Sequence, residues 1–458
     1  MAAVAATTDP LAPQRLAARG LELLERDRWT REDLLVYQDA RRRALIRHAV
    51  QRSPFYRETL GPDAEEAEPG DLPTLPKARL MEEFDRIVTD PRLRLGNLRP
   101  FLADADAGAL YLGEYRVFST SGTTGVPGLF VYSQPEFAEW AAMFVRAFVR
   151  LGMTPETRIV GIAAPSALHL SQQIVAAIQA GRTGSPSIAV TTPLDEAVAA
   201  LDAYQPEVLV GYPSMITLLA EEQLGGRLAI APRVVLTTSE VLTDDAAARI
   251  EAAWTAPVQG YFSTEVGVIA CSSVDNVGMH VCEDAIVEVV DDRGRPVPPG
   301  TLGSKVLLTN LVNLTQPLIR YELSDAVQLE AGPDPGGRPF DRIRRVDGRS
   351  DDVLRLPGAT GGEVAVNRYR LRAPFVRLLD VLQYQVVRRT DDLVVRIVVR
   401  EHAPRDLPRT VRAAVEEALR AAGVVVPVLV EVVDGIEREP GHAAKVKLVR
   451  DETADAGA

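Results

Sequence analysis

The residues best suited to chemistry in this sequence form one polar stretch, residues 118–128 (FSTSGTTGVPG). Five hydroxyl side chains and three glycines lie within these eleven residues, directly after the strand-like run 115–118. Glycine lets backbone N–H groups approach phosphate oxygens closely, and Ser and Thr hydroxyls add small donors. The stretch is not a Walker A loop, because position 126 is Val where Gly-Lys-[Ser/Thr] would need Lys. A loop that wraps a polyanion is one interpretation, and a flexible turn is the other.

A carboxylate motif lies further along the chain, at Tyr261-Phe262-Ser263-Thr264-Glu265, just after the predicted strand 257–259. Open α/β sheets bind ligands at the carboxyl ends of their strands. Because Mg²⁺ takes one or two carboxylates together with phosphate oxygens, Glu265 could hold it against a nucleotide. The alternative is a solvated glutamate at the start of a helix.

Two shorter polar motifs follow, at 321–325 and 348–352. A carboxylate after a strand can bind the hydroxyls of a ribose. Such an Asp is also a common cap or turn residue, and Gly-Arg-Ser-Asp-Asp alone would be an ordinary linker. Neither motif is specific by itself.

The two cysteines lie close to one histidine, in the pattern Cys271-x8-His280-x-Cys282. Softer ligands at this spacing can hold Zn²⁺ in a structural role, although structural zinc usually has four ligands and a fourth is not evident. The alternative is a pair of buried thiols with a histidine that faces a pocket.

The elements around these motifs predict the fold class. Residues 13–52 carry apolar side chains at helical spacing, and strand-like and helix-like runs alternate from residue 158 to residue 254. This alternation predicts an α/β domain whose sheet is mainly parallel and covered on both faces. Turn signals after residue 285 predict a smaller β-rich part, and the last hundred residues read as a small mobile α+β unit. We predict a large domain, 1–349, and a small one, 350–458.

The composition excludes several classes of protein. The 458 residues include 51 Lys and Arg against 63 Asp and Glu, a net charge of −12, which argues against nucleic-acid and anionic-membrane partners. Two cysteines cannot form a disulfide framework. No apolar run reaches the roughly 18 residues of a membrane span, and the first residues do not resemble a signal peptide. We expect a cytoplasmic enzyme or binding protein.

The order of the motifs is far more specific than any one motif. The succession S-T-S-G-T-T-G, Y-F-S-T-E, R-Y-x-x-x-D, G-R-S-D-D and a late Lys resembles the adenylate-forming superfamily of acyl-CoA synthetases, adenylation domains and luciferases. The phenylacetate–CoA ligase branch is the best match, because S-P-F-Y-R at 53–57, L-P-T-L-P-K at 72–77 and P-L-I-R-Y at 317–321 also resemble it. The resemblance covers roughly residues 35–450.

The resemblance implies a nucleotide site. It assigns the β- and γ-phosphates of ATP to Ser119, Thr120, Ser121, Gly122, Thr123, Thr124 and Gly125. It places the adenine near Ser239, Glu240 and Tyr261, and the ribose near Asp325 and Arg349. Phe262 would lie beside the adenine or the acyl group.

The resemblance also implies the catalytic groups. Thr264 would contact the α-phosphate, Glu265 would bind Mg²⁺, and Lys445 on the small domain would stabilise the transition state of adenylation. Rotation about the hinge at Asp351 would then give a second arrangement for thiol attack on the acyl-adenylate. Lys447 is the alternative lysine. The acyl pocket would draw on His169, Tyr212, Pro213, Ser214 and Phe262.

The implied function is ATP-dependent activation of an aryl or arylacetic acid, followed by transfer to CoA. An adenylating enzyme that uses a carrier-protein thiol or a nitrogen nucleophile in a biosynthetic pathway is the first alternative, and a non-catalytic nucleotide-binding homologue is the second. Two glycines usual in the family are replaced by Phe262 and Ser324, which puts the carry-over of phenylacetate as substrate in doubt. Whether the chain forms a homodimer is left open.

Overall fold

The computed structural model of the chain describes residues 9–61, 63–104, 108–120, 128–164, 185–186, 188–275, 277–349, 353–359, 361–367, 371, 374–375, 378, 380–438, 446 and 448–453. The predictions for Ser121 to Gly125, His169, Asp351, Lys445 and Lys447 fall outside these residues. Within the described ranges, no helix is both long enough and apolar enough to cross a bilayer.

The described helices are α1 Pro13–Leu24, α2 Arg31–Arg52, α3 Pro54–Leu60, α4 Lys77–Glu82, α5 Phe84–Ile87, α6 Leu95–Asp104, α7 Gln134–Arg150, α8 Leu194–Tyr204, α9 Pro213–Leu224, α10 Asp244–Ala253 and α11 Leu407–Ala421. Local sequence fixes where several of them begin. At α2 the Thr30 hydroxyl accepts from the N–H of Asp33 at 3.1 Å, and the Asp33 carboxylate accepts from the N–H of Thr30 at 2.8 Å. This capping box satisfies two donors that the helix leaves unpaired.

The described strands up to the end of the large sheet are β1 Tyr115–Ser119, β2 Leu129–Ser133, β3 Ile159–Ala163, β4 Ile188–Ala189, β5 Val208–Gly211, β6 Val234–Thr238, β7 Val258–Ser263, β8 Gly267–Ser272, β9 Met279–Val281, β10 Ala285–Val290, β11 Lys305–Asn310, β12 Tyr321–Leu323, β13 Asp325–Leu329 and β14 Arg342–Arg349. Nine of them form the sheet β13-β14-β9-β8-β7-β6-β5-β3-β4. Strands β3 to β7 run parallel, and β8, β9, β13 and β14 continue antiparallel.

Both faces of the parallel strands are covered, as the apolar runs predict. In β5, Val208 and Val210 face a cluster that contains α7, whereas Leu209 faces a second cluster with α8, α9 and α10. A third cluster joins the hairpin β1–β2, the sheet β10-β11-β12 and the helices before residue 104. The predicted α/β class is confirmed, with a mixed rather than purely parallel sheet.

A buried charge network holds the N-terminal helices to the large sheet. The Arg146 guanidinium lies 2.6 Å from the Glu283 carboxylate, and Arg26 lies 2.7 Å from Glu283 and 3.1 Å from Asp284. Burial raises the pKa of Glu283, but the two arginines outweigh it and lower that pKa to about 2. Breaking such a pair on one side leaves an uncompensated buried charge, so these contacts fix the packing of α1 and α7.

The C-terminal part has a core of its own. Its strands are β15 Val353–Pro357, β16 Glu363–Asn367, β17 Val381–Arg388, β18 Leu393–Val399, β19 Val428–Val432 and β20 Val449–Asp451. The sheet β19-β18-β17-β20 packs on α11, and the buried residues of this cluster all lie between Leu354 and Val449. The buried residues of the other three clusters all precede residue 344. The division at 349/350 stays a prediction that this clustering favours.

Candidate active site

The base of the predicted phosphate loop is a closed hairpin. Ser119 ends β1 opposite Leu129, and the N–H of Thr120 donates to the carbonyl of Gly128 at 2.9 Å. The Thr120 hydroxyl accepts in turn from the N–H of Gly128 at 3.0 Å. Backbone pairing therefore brings the two ends of residues 121–127 close together. A loop that wraps an anion requires its ends to lie close in this way.

A lysine that no sequence motif singled out lies beside this hairpin. Lys77, the first residue of α4, donates from Nζ to the Thr120 hydroxyl at 3.3 Å. Lys77 and Thr120 are 43 positions apart in the sequence, and no motif spacing connects them. The Pro-rich run that ends in Lys77 was recognised only as a family feature. The structure adds a cation to the base of the loop.

Two residues assigned to the nucleotide meet at one end of the large sheet. The Tyr261 hydroxyl donates to the Asp325 carboxylate at 2.7 Å. The backbone of Asp325 pairs with that of Arg349, so the ends of β7, β13 and β14 converge there. Tyr261, Asp325 and the Arg349 backbone are thus brought together from three separate motifs.

The backbone of Thr264 and Glu265 is anchored from two sides. The Tyr132 hydroxyl donates to the carbonyl of Thr264 at 2.8 Å, and the Asn310 amide donates to the carbonyl of Glu265 at 2.8 Å. Burial, and then the charge of Glu265, raise the pKa of Tyr132, so its hydroxyl stays protonated as a donor. A register shift between β7 and β8 at Tyr261 and Phe262 precedes this turn. Such bulges re-aim side chains next to active sites.

The donor set of this turn fits magnesium. Glu265 and Thr264 are each 8% exposed and offer a carboxylate and a hydroxyl, the hard oxygen ligands that Mg²⁺ prefers. The Tyr132 hydroxyl and the Asn310 amide anchor this turn through the backbone carbonyls of Thr264 and Glu265.

Ser239 and Glu240 form a strained turn after β6. Ser239 has φ +71°, in the left-handed region that costs a residue with a Cβ about 1–2 kcal/mol. The Glu240 carboxylate accepts from the N–H of Ser214 and from the N–H of Val446, each at 3.0 Å. The adenine role implied for both residues stays a prediction, since the contacts of Glu240 run between the two parts of the chain.

The residues assigned to the acyl pocket do not share one site. Tyr212 is fully buried in the cluster with α9, and Phe262 packs on the opposite face of the sheet against Phe144 of α7, with ring centroids 4.9 Å apart. The Phe262 ring lies directly over Gly260, where a Cβ would come within 2.3 Å of it. Pro213 begins α9, and Ser214 contacts the C-terminal part instead. The pocket assignment remains a prediction for Phe262 and lacks support from Tyr212.

The structure does not gather the three residues assigned to zinc. Cys271 and His280 pair across β8 and β9, but His280 bonds through Nε2 to Asp334. The Cys282 thiol lies 3.4 Å from the Arg146 guanidinium. Burial raises the pKa of both thiols to about 12. The possible zinc site stays a prediction, and the contacts of His280 and Cys282 favour the alternative of two buried thiols.

Among the described residues, one group of three potential ligand atoms lies within 4.8 Å: Cys282, Glu283 and Asp284. Both of its carboxylates are paired with Arg26, and Glu283 is also paired with Arg146. The group belongs to the buried charge network, so it has a structural explanation without a metal.

Comparison with known proteins places this site in a class. A family model of AMP-binding enzymes matches residues 116–308. Among solved structures, a 2-hydroxyisobutyryl-CoA ligase in the postadenylation state has a TM-score of 0.70 at 20% identity and covers 93% of this chain and 91% of its own. The fold is that of the adenylate-forming ligases.

The chain is also similar to curated phenylacetate–coenzyme A ligases. The phenylacetate–coenzyme A ligase of Thermus thermophilus is 26% identical over 390 residues, which cover 79% of each chain. That of Escherichia coli is 26% identical over 434 residues, which cover 91% of this chain and 94% of the relative. The resemblance to phenylacetate–CoA ligases predicted from the motif order is confirmed.

Proposed function

We propose that this chain uses ATP and Mg²⁺ to convert a carboxylic acid into an acyl-adenylate with release of pyrophosphate, and then transfers the acyl group to the thiol of CoA. The observation that carries the proposal is the convergence of Tyr261, Asp325 and the anchored Thr264-Glu265 turn at one end of the sheet. The similarity to phenylacetate–coenzyme A ligases over most of the chain supports the same reaction.

The first half-reaction joins two anions. A carboxylate oxygen of the acid attacks the α-phosphorus, the bond to the bridging oxygen breaks, and pyrophosphate leaves with both electrons. Charge on the non-bridging and leaving oxygens must be neutralised, which is the main task in phosphoryl-type transfers. In this proposal Lys77 and Lys445 supply positive charge, Asp325 holds the ribose, and Thr264 donates to the α-phosphate. Mg²⁺ held by Glu265 would add charge at the triphosphate.

The second half-reaction exchanges AMP for a thiol. The sulfur of CoA attacks the acyl carbon, the bond from that carbon to the AMP oxygen breaks, and the thiol proton passes to solvent. A lysine on a separate small domain would allow one arrangement for each step. CoA as the acceptor is favoured over a carrier protein or an amine by the relatives' activity alone.

The acid belongs to the aryl or arylacetic class in this proposal, in keeping with the relatives named for phenylacetate. Phe262 packs over Gly260 and against Phe144, and in this proposal its ring limits the length of the acid. A cytoplasmic location is part of the same proposal.

The test is acid-dependent pyrophosphate release from ATP and Mg²⁺ across aryl, arylacetic and short aliphatic acids, each with and without CoA. The proposal expects release with one acid class and a CoA thioester as product. Release without a thioester would move the acceptor to a carrier protein or an amine. Tight ATP binding with no release for any acid would favour a non-catalytic protein.

A further inference from the structure

The buried carboxylate of Glu240 bonds to both the large and the small part of the chain. One oxygen accepts from the N–H of Ser214 at 3.0 Å. The other accepts from the N–H of Val446 at 3.0 Å and lies 3.6 Å from the guanidinium of Arg438. The carboxylate therefore bonds to the start of α9 on one side and to the C-terminal segment on the other.

These contacts are shielded from water. The side chains of Glu240 and Arg438 are 8% and 16% exposed, so their attraction is screened much less than that of a surface pair. Arg438 also donates to the Ser214 hydroxyl at 3.4 Å, and Gln383 of β17 donates to the Ser214 carbonyl at 3.2 Å. Ser214, Glu240 and Arg438 thus form one polar junction, which we call the Glu240 junction.

The backbone before Glu240 is held in a strained shape. Ser239 has φ +71°, which a serine adopts only when its surroundings require it. Strain of this kind clusters at functional sites, and here it directs the next side chain toward Val446.

We propose that Glu240 is a positioning residue for the catalytic lysine. Val446 stands in the sequence between Lys445 and Lys447, the two candidates for that lysine. The Glu240 carboxylate bonds to the N–H of Val446 and so holds that residue against the large domain. In this proposal the bond limits where the two lysines next to Val446 in the sequence can lie during adenylation, and its release accompanies the thioester step. The inference rests on the proposed function and gives Glu240 a role through the lysine, where the family resemblance implies contact with adenine.

A second ion pair between the same two parts provides a matched control. Arg400, the residue after β18, lies 3.0 Å from Glu221 of α9, with side chains 41% and 13% exposed. Neither residue has a described contact with Val446. Arg400→Met therefore weakens the interface without removing a described contact of Val446.

The first experiment measures the two half-reactions separately in Glu240→Ala, Glu240→Gln and Arg400→Met. Glu240→Ala should lower the maximal rate of adenylation by about tenfold or more, as expected when a charge-stabilising group is misplaced, while the KM for ATP stays within about twofold. The thioester step from preformed acyl-adenylate should not fall. Glu240→Gln keeps one acceptor and should lie between wild type and Glu240→Ala, and Arg400→Met should leave both rates near wild type.

A double variant separates positioning from nucleotide binding. If Glu240 acts through the lysine, Glu240→Ala should cost little further adenylation once Lys445 or Lys447, whichever is catalytic, is already alanine. An equal loss in both backgrounds, or a raised KM for ATP with an unchanged maximal rate, would overturn the proposal in favour of an adenine contact.

Amide hydrogen exchange tests the junction without any substrate. The peptide that contains Val446 should exchange faster in Glu240→Ala than in wild type and in Arg400→Met, with the peptides of β6 and β7 unchanged as a check on folding. Unchanged protection at Val446 would overturn the proposal even if the enzyme is active. Failure of the wild type to form an adenylate with any acid would instead count against the proposed function, while the exchange result would still decide whether the junction exists.

Discussion

The Tyr261 hydroxyl donates a 2.7 Å hydrogen bond to the carboxylate of Asp325, joining the end of β7 to the start of β13. The bond holds one carboxylate oxygen in place and leaves the other available to a ligand's hydroxyls. Tyr261→Phe should therefore raise the KM for ATP by about tenfold, which corresponds to the lower end of the about 1.5–3 kcal/mol for a hydrogen bond to a charged group.

The ribose role of Asp325 has its own signature. Asp325→Asn should lose the preference of the enzyme for ATP over 2′-deoxy-ATP, because an amide accepts fewer hydrogen bonds from the ribose hydroxyls. The measurement is the ratio of kcat/KM for the two nucleotides. An unchanged ratio in Asp325→Asn would remove Asp325 from the ribose site.

The Thr264-Glu265 turn predicts a change in magnesium dependence. Glu265→Gln removes the negative ligand but keeps the shape of the side chain, so adenylation should slow and need a higher Mg²⁺ concentration for half-maximal rate. A magnesium titration of pyrophosphate release measures this. Asn310→Ala, which frees the Glu265 carbonyl from its anchor, should shift the titration less. Equal magnesium dependence in wild type and Glu265→Gln would exclude the metal role.

Replacement of Lys445 and replacement of Lys447 should have opposite effects on the rate of adenylation. Lys445→Ala should slow adenylation about 10²-fold or more, as for a lost charge-stabilising group, and should spare the thioester step from preformed acyl-adenylate. Lys447→Ala serves as the control, since it lies two positions away and should keep adenylation. The reverse pattern would shift the assignment of the catalytic lysine by two residues.

The packing of Phe262 predicts which sizes of acid the enzyme uses well. Phe262→Ala removes a ring packed against Phe144, so kcat/KM for arylacetic acids should rise relative to acetate. Gly260→Ala should destabilise the wild type, where the new Cβ meets the Phe262 ring, and should be tolerated better in Phe262→Ala. Thermal unfolding of the four proteins in this cycle checks the packing. Additive losses of stability would show that the ring does not lie over Gly260.

Breaking the buried ion pair of Arg146 and Glu283 should lower the unfolding free energy clearly, although the pair lies outside the candidate active site. Arg146→Met leaves Glu283 with Arg26 as its remaining described cation, so the loss of unfolding free energy should be at or below the lower end of the about 3–5 kcal/mol expected for a fully unpaired buried charge. The control is Arg295→Met, which removes an exposed pair with Asp291 and should change stability little. Urea denaturation of both variants makes the comparison, and equal losses would contradict the role of the network.

The sequence predicted the elements that carry strong local signals. The alternating runs from 158 to 254 predicted strands that match β3, β4, β5 and β6 closely, because buried parallel strands are continuous apolar segments. The family resemblance assigned both Tyr261 and Asp325 to the nucleotide, and the structure joins them although they lie 64 positions apart.

Contacts set by tertiary packing could not be predicted in the same way. Lys77 meets Thr120 only because α4 packs beside the β1–β2 hairpin, and no spacing rule encodes that. The possible zinc site was predicted from proximity in sequence. In the structure, His280 bonds to Asp334 and the Cys282 thiol contacts the Arg146 guanidinium instead. Tyr212 was grouped with Phe262 by analogy, but the sheet places them on opposite faces.

The measurement that tests the central claim most directly traces a carboxylate oxygen of the acid into the products. An acid that supports pyrophosphate release is labelled with ¹⁸O in its carboxylate and turned over with ATP and CoA. An acyl-adenylate intermediate predicts that one ¹⁸O from each acid appears in AMP, because the attacking carboxylate oxygen stays on the α-phosphorus when the thiol displaces it. Label in pyrophosphate or inorganic phosphate, or unlabelled AMP beside a formed thioester, would contradict the adenylation mechanism.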